Sequence, residues 1–442
     1  MTRRFFLLAA TAAAGLLLNA CGGQKLSPEQ AALVDAARQA GASALSATPQ
    51  DDGGMVLDGE LDGRRFNLAI PWRWNKQAML FANGYRPPGF PTDIPNSPLA
   101  GDSNGFYRTP YAQGFAAGRS AYAKAGMGVQ TGVESTYRLK QLVDQLGSAR
   151  TYLIGASMGG DITVALIEKY PQDFAGAIAA CGAVGGWRAE LGWTIDLRAA
   201  YNYFTRGTAY ELPGNKSIDR SALWMPPQGL IKPLSIPLVL LQSKRVFAPV
   251  VKLFAAAAAN PGGAEQRIID NIAAASGTPA DPAAFALPLT LTTLGMDDLN
   301  QTFGGSIYDN SAKIYSSTLL SAAENTTLNQ GIERIKADSR ALAYGDSWYQ
   351  PTGKFQTRLL TISNAIDPMA PSTINEPLLQ AAVERAGNLD HLVQRSLPAQ
   401  RAPIPTTSTD GYVHCGFTPD QVASAWNDLR AWVESGQKPA GN

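Results

Sequence analysis

Thr151-Tyr152-Leu153-Ile154-Gly155-Ala156-Ser157-Met158-Gly159-Gly160 decides the fold. Thr151 to Ile154 is a short apolar run suited to a buried strand. Ser157 to Tyr170 has helical spacing, with Ile162, Leu166 and Tyr170 at steps of four, and Pro171 closes it. Between strand and helix lies a G-x-S-x-G. The serine of such a motif sits on a sharp, strained turn, where side chains two residues to either side would clash. The turn lifts the hydroxyl above the sheet edge and aims the first amides of the helix at a developing oxyanion. With 43 Gly in the chain a bare match arises easily by chance. The strand-turn-helix context is the test, and the pattern meets it.

Outward from this motif, strand and helix patterns alternate. Met55 to Leu61 and Arg65 to Ile70 read as strands around the turn Asp62-Gly63, and Gln77 to Ala82 as a buried strand. Another strand lies within Gly114 to Tyr122, and another at Phe174 to Ala180. Gly132 to Leu146 is helical. Alternation of this kind predicts an α/β fold with a mostly parallel, doubly wound sheet. It stops at about residue 186. Residues 186–351 are aromatic-rich with short helical patterns, and read as a large inserted cap over the functional edge. A strand at Arg358 to Ser363, a helix at Glu376 to Ala386 and a strand at Leu392 to Leu397 resume the series. The core thus has two halves, 51–185 and 352–442.

A serine nucleophile needs a base, and the chain has only two histidines. His391 opens the strand Leu392 to Leu397, which puts it on the sheet edge opposite Ser157. His414 follows that strand, just before a helix announced by Thr418-Pro419-Asp420-Gln421, a capping box with Pro at the first helical position. His414 therefore lies on a loop at the edge of Ser157 and is the expected general base. Asp367, on the loop after Arg358 to Ser363, is the expected orienting acid. Glu376 begins a helix and Asp390 precedes a strand at the wrong edge.

The order Ser157, Asp367, His414, the elbow after a strand and the late histidine loop together resemble the α/β-hydrolase superfamily. The resemblance runs from Met55 to Gly436 and implies an eight-stranded, mostly parallel sheet, a variable cap, and no metal or organic cofactor. It also implies an oxyanion hole. One donor is the amide of Met158. The other comes from Phe81-Ala82-Asn83-Gly84-Tyr85, as the amide of Tyr85 or of Gly84. Asn83 stands where the family often has His, and reads equally as a loop-holding side chain or a plain Asn-Gly turn. Cys181 and Cys415 both fall on loops at the active edge, a placement that predicts a disulfide bracing the histidine loop. Trp187, Trp193, Tyr201, Tyr203, Phe204, Tyr210 and Trp224 crowd the start of the insertion, and two or three of them are expected in a largely apolar pocket. The expected activity is hydrolysis of a small-molecule carboxylic ester by an acyl-enzyme route. A serine peptidase of the same fold is the alternative, and a catalytically inactive lipid-anchored binding module the third reading.

At the N-terminus, Arg3-Arg4 and the apolar run Phe5 to Leu18 have the layout of an export signal. Leu18-Asn19-Ala20-Cys21 resembles the lipobox of bacterial lipoproteins, which implies a signal peptide over 1–20 and a lipid on Cys21. Thr2-Arg3-Arg4-Phe5-Phe6-Leu7 also resembles a twin-arginine signal. Residues 21–50 read as a tether with one short helix, and Gly22 after the cysteine implies the outer membrane. The expected location is thus the bacterial cell envelope, with the membrane held through the lipid. With Cys21 lipidated, Cys181 and Cys415 are the remaining pair in an oxidising compartment. A net charge of +1 with no basic cluster points away from nucleic acid.

Overall fold

The computed structural model describes residues 25–227 and 229–441; the signal segment and Cys21 lie outside the described residues. The chain begins with α1 (Pro28–Gln39), whose N-cap Ser27 exchanges hydrogen bonds with Gln30 in a capping box. Three antiparallel strands follow, β1 (Ser43–Pro49), β2 (Met55–Leu61) and β3 (Arg64–Ile70). Next come β4 (Gln77–Ala82), α2 (Arg108–Ala112), β5 (Ala116–Ser120), α3 (Val129–Gln145), β6 (Arg150–Ala156), α4 (Met158–Lys169) and β7 (Gly176–Ala180). Between β7 and the next strand the chain forms α5 (Trp187–Phe204), α6 (Lys232–Ala259), α7 (Ala264–Ser276), α8 (Pro282–Phe303), α9 (Ala322–Gly331) and α10 (Ser339–Trp348). The core resumes with β8 (Arg358–Asn364), α11 (Ser372–Arg385) and β9 (Leu392–Leu397). A small hairpin, β10 (Arg401–Pro403) and β11 (Asp410–Tyr412), precedes the last helix, α12 (Pro419–Ser435).

The main sheet runs β1-β2-β3-β5-β4-β6-β7-β8-β9. From β5 across to β9 every pairing is parallel. Parallel strands covered by helices on both faces are apolar throughout, and β7, Gly-Ala-Ile-Ala-Ala, is buried at every residue. One face packs on α3 and α4 through Leu139, Val143, Ile162 and Leu166. The other packs on α12, where Trp426 meets Phe115 edge to face at 5.1 Å. The elbow serine between β6 and α4 and the crossover order of the sheet define an α/β-hydrolase fold.

Two expectations need correction. The short helix expected in the tether is present as α1, but residues 43–49 of that segment form β1, which pairs with β2, so among the described residues the sheet has nine strands rather than eight. The strand escaped notice because Ser-Ala-Leu-Ser-Ala-Thr-Pro at a sheet edge needs few apolar side chains: alternate residues face solvent.

Candidate active site

Ser157 sits between β6 and α4 with φ 59° and ψ −129°, in the left-handed half of conformational space. Its N–H donates to the carbonyl of Ala180 at 3.0 Å, which ties the turn to β7. The glycines of the motif are sterically required. A Cβ at Gly155 would lie 2.0 Å from the carbonyl oxygen of Gly159, and one at Gly159 would lie 2.1 Å from that of Ala82. Gly160 packs on Gly182, where a Cβ would approach Cα to 2.6 Å.

The three residues expected to act together are brought together. His414 Nε2 lies 2.8 Å from Ser157 Oγ, and His414 Nδ1 lies 2.7 Å from Asp367 Oδ1. Asp367 is 2% exposed. Its Oδ1 also accepts the N–H groups of Met369 and Ala370, and Oδ2 that of Cys415. Burial pushes this carboxyl up, but the neighbouring imidazole and these hydrogen bonds outweigh it and hold it below the ordinary aspartate value. Burial likewise pushes His414 down, and the charge and hydrogen bond of Asp367, aided by Glu190, carry it above the ordinary histidine value.

The histidine loop is fixed from three sides. Asn364, at the end of β8, donates to the carbonyl of Gly416 and accepts from its N–H. Cys415 is joined to Cys181 by a disulfide, with the Cα atoms 5.3 Å apart. Asp281, the N-cap of α8, accepts from the amide of Tyr412 and pairs with Arg401 at 3.0 Å, so the inserted helices also grip the loop. Asp367, His414 and Cys415 offer ligand atoms within 4.8 Å of one another. The Cys415 sulfur is committed to the disulfide and both imidazole nitrogens to Ser157 and Asp367, so this grouping is poorly suited to a metal.

Asn83 resolves to a loop-holding side chain: its Nδ2 donates to the carbonyl of Ser120 at 2.8 Å, and its amide donates to the Tyr122 hydroxyl. Gly84 comes close enough to Ser157 that an added Cβ would meet the serine Cβ at 3.2 Å. The amides of Met158, Gly84 and Tyr85 make no hydrogen bond among the described residues. His391 sits at the far end of β9, where Leu392 pairs with Leu359. The Glu376 carboxylate accepts from Thr361 Oγ1 and Gln394 Nε2. Neither is near the serine.

A cleft opens beside Ser157. Of the seven aromatics crowding the start of the insertion, only Trp187 lines it; its other aromatic walls are Tyr85 and Tyr349. Trp193 instead bonds Thr278 within the inserted helices, Tyr201 bonds the carbonyl of Tyr210, and Trp224 is 60% exposed. Two acids that sequence reasoning missed also line the cleft, Asp161 and Glu190. The one available signal was Asp161 itself, four residues after Ser157 and so on the serine's face of α4.

No protein-family model matches the chain, and no curated protein does. Feruloyl esterase B from Aspergillus oryzae superimposes with TM-score 0.48 at 11% identity, covering 90% of this chain and 88% of that one. Another esterase from Aspergillus oryzae gives 0.47 at 15%, over 90% and 87%. Est1E from Butyrivibrio proteoclasticus gives 0.35 at 9%, over 86% and 98%. At these TM-scores the likenesses add no weight to the chemistry of the site.

Proposed function

We propose that the protein is a serine hydrolase that cleaves carboxylic esters of small molecules through an acyl-enzyme. Support comes above all from the unbroken chain of hydrogen bonds Asp367–His414–Ser157, at 2.7 and 2.8 Å. In this scheme His414 Nε2 takes the hydroxyl proton as Ser157 Oγ attacks the ester carbonyl. Asp367 holds the Nδ1–H tautomer and stabilises the imidazolium. The free amides of Met158 and Tyr85 receive the oxyanion, and the absent side chain of Gly84 lets the Tyr85 loop approach Ser157. His414 then returns its proton to the departing alcohol. Water, deprotonated by the same imidazole, attacks the acyl-enzyme and frees the acid.

The test is fluorophosphonate labelling followed by peptide mapping. A single adduct on Ser157, lost in Ser157→Ala and strongly slowed in His414→Ala, is expected. Absence of an adduct on folded protein would refute the scheme and bring forward the inactive binding module. Parallel ester and aminoacyl-amide chromogenic substrates separate esterase from peptidase. We also propose that Cys21 is lipidated and anchors the chain to the cell envelope, at the outer membrane, as Leu18-Asn19-Ala20-Cys21 suggests. Incorporation of radiolabelled palmitate, abolished in Cys21→Ser, checks the lipid, and fractionation of the two membranes checks the location.

A further inference from the structure

Asp161 and Glu190 are 6% and 7% exposed, and both line the cleft that holds Ser157. Glu190 Oε2 accepts from Asn375 Nδ2 at 2.8 Å; Oε1 makes no hydrogen bond among the described residues. Asp161 makes no side-chain hydrogen bond among the described residues, and it lines the cleft. No lysine or arginine lines the cleft. The charged groups that act on Asp161 are Glu168 and Glu190, both acids. Those that act on Glu190 are Asp367 and His414, already bound to each other. Burial, with these like-charged neighbours, pushes Asp161 well up and Glu190 up to about 8, so the empty cleft holds two carboxyls reluctant to ionise. Around them stand the rings of Tyr85, Trp187 and Tyr349.

We infer that Asp161 and Glu190 form a subsite for an ammonium group, so that the molecule cleaved at Ser157 carries a primary ammonium on the part that enters the cleft. The substrate class rests on the hydrolase reading above; the subsite itself does not. A cation here finds what the cleft leaves open: carboxyl oxygens with no cationic side chain among the cleft's lining, and aromatic faces. Its arrival lets a carboxyl ionise, and the released proton leaves to solvent.

Calorimetric titration of the full chain with benzylammonium and with benzyl alcohol, its neutral counterpart, tests the subsite at about pH 8. The cation should bind the wild type about tenfold tighter or better, with a fraction of a proton up to one released per cation, seen as a dependence on buffer ionisation enthalpy. Asp161→Asn and Glu190→Gln should each reduce that preference several-fold. Glu190→Gln is isosteric and keeps the Asn375 hydrogen bond, so it stays decisive if Asp161→Asn does not fold. Equal binding of cation and alcohol, or an undiminished preference in Glu190→Gln, would overturn the inference. Fluorophosphonate labelling of the same preparation separates the two failures. Labelling of Ser157 without ammonium preference refutes only the subsite, whereas ammonium preference without labelling keeps the subsite and refutes only the hydrolase.

Discussion

Replacing Glu190 by Gln should make the protein more stable, and increasingly so as pH rises. Burial is the main reason its carboxyl stands at about 8 instead of the ordinary 4.5; the Asn375 hydrogen bond lowers it, while Asp367 raises it and His414 lowers it. Between these two values the unfolded chain has given up the proton and the folded chain has kept it. Stability therefore falls as pH rises, by about 1.4 kcal/mol per pH unit. The fall begins near the unfolded value and ends near 8, amounting to about 5 kcal/mol across the whole interval as an upper bound. Glutamine has no proton to lose, nearly the same volume, and an oxygen for Asn375 Nδ2. Urea midpoints for both proteins, from about pH 5 to pH 8 with the disulfide intact, give the comparison. Ionisable groups not coupled to Glu190 cancel between the two. The variant should gain steadily, reaching several kcal/mol near pH 8. A stability difference that does not change with pH would mean that Glu190 ionises at its ordinary value, and the buried-acid account would be wrong.

The pH profile of kcat/KM for a neutral ester should rise along one limb as His414 loses its proton, with a midpoint above the ordinary histidine value of about 6.5. Asp367→Asn removes the raising charge, so it should lower kcat by about 10³ or more and leave the imidazole in the wrong tautomer. Replacing Cys181 and Cys415 together by Ser opens a link spanning 234 residues. The chain-entropy value for such a loop is about 5 kcal/mol, so the denaturant midpoint should drop sharply. Asp281→Ala removes the cap of α8 and the acceptor for Tyr412 and Arg401. It should cost about 1–2 kcal/mol in urea unfolding and lower kcat more than it changes KM, because it loosens the histidine loop. Gly159→Ala puts a methyl 2.1 Å from a backbone oxygen and should yield no soluble, labelled enzyme.

The parts of the fold that could be read in advance share one property: their signals are local. The β6 run, the glycine spacing around Ser157 and the capping box at Thr418 are each decided within a few residues. The histidine loop was legible because only two histidines exist and the strand order separates their edges. Where reading failed, long-range burial decided the outcome. Nothing in the sequence around Glu190 says that an acid in Trp-Arg-Ala-Glu-Leu will be buried against Asn375 of α11. Aromatic density misled for the same reason: most of those rings fill the inserted helices, and Tyr85 and Tyr349 come from isolated positions. Ser43 to Pro49 shows the converse. A weakly apolar segment became a strand because β2 offered it a free edge.

The insertion between β7 and β8 also sets when the site comes into being. Ser157 meets a histidine 257 residues later, and β7 pairs with a strand that the ribosome delivers only after all six inserted helices. A growing chain can form the elbow early, yet its serine then has neither base nor acid. Its outermost parallel strand, buried at every residue in the finished fold, meanwhile waits uncovered and prone to stick to other chains. Assembly order thus acts as a safety catch: in the scheme proposed, the nucleophile is armed only when the histidine loop after β9 has been made and folded back across the sheet.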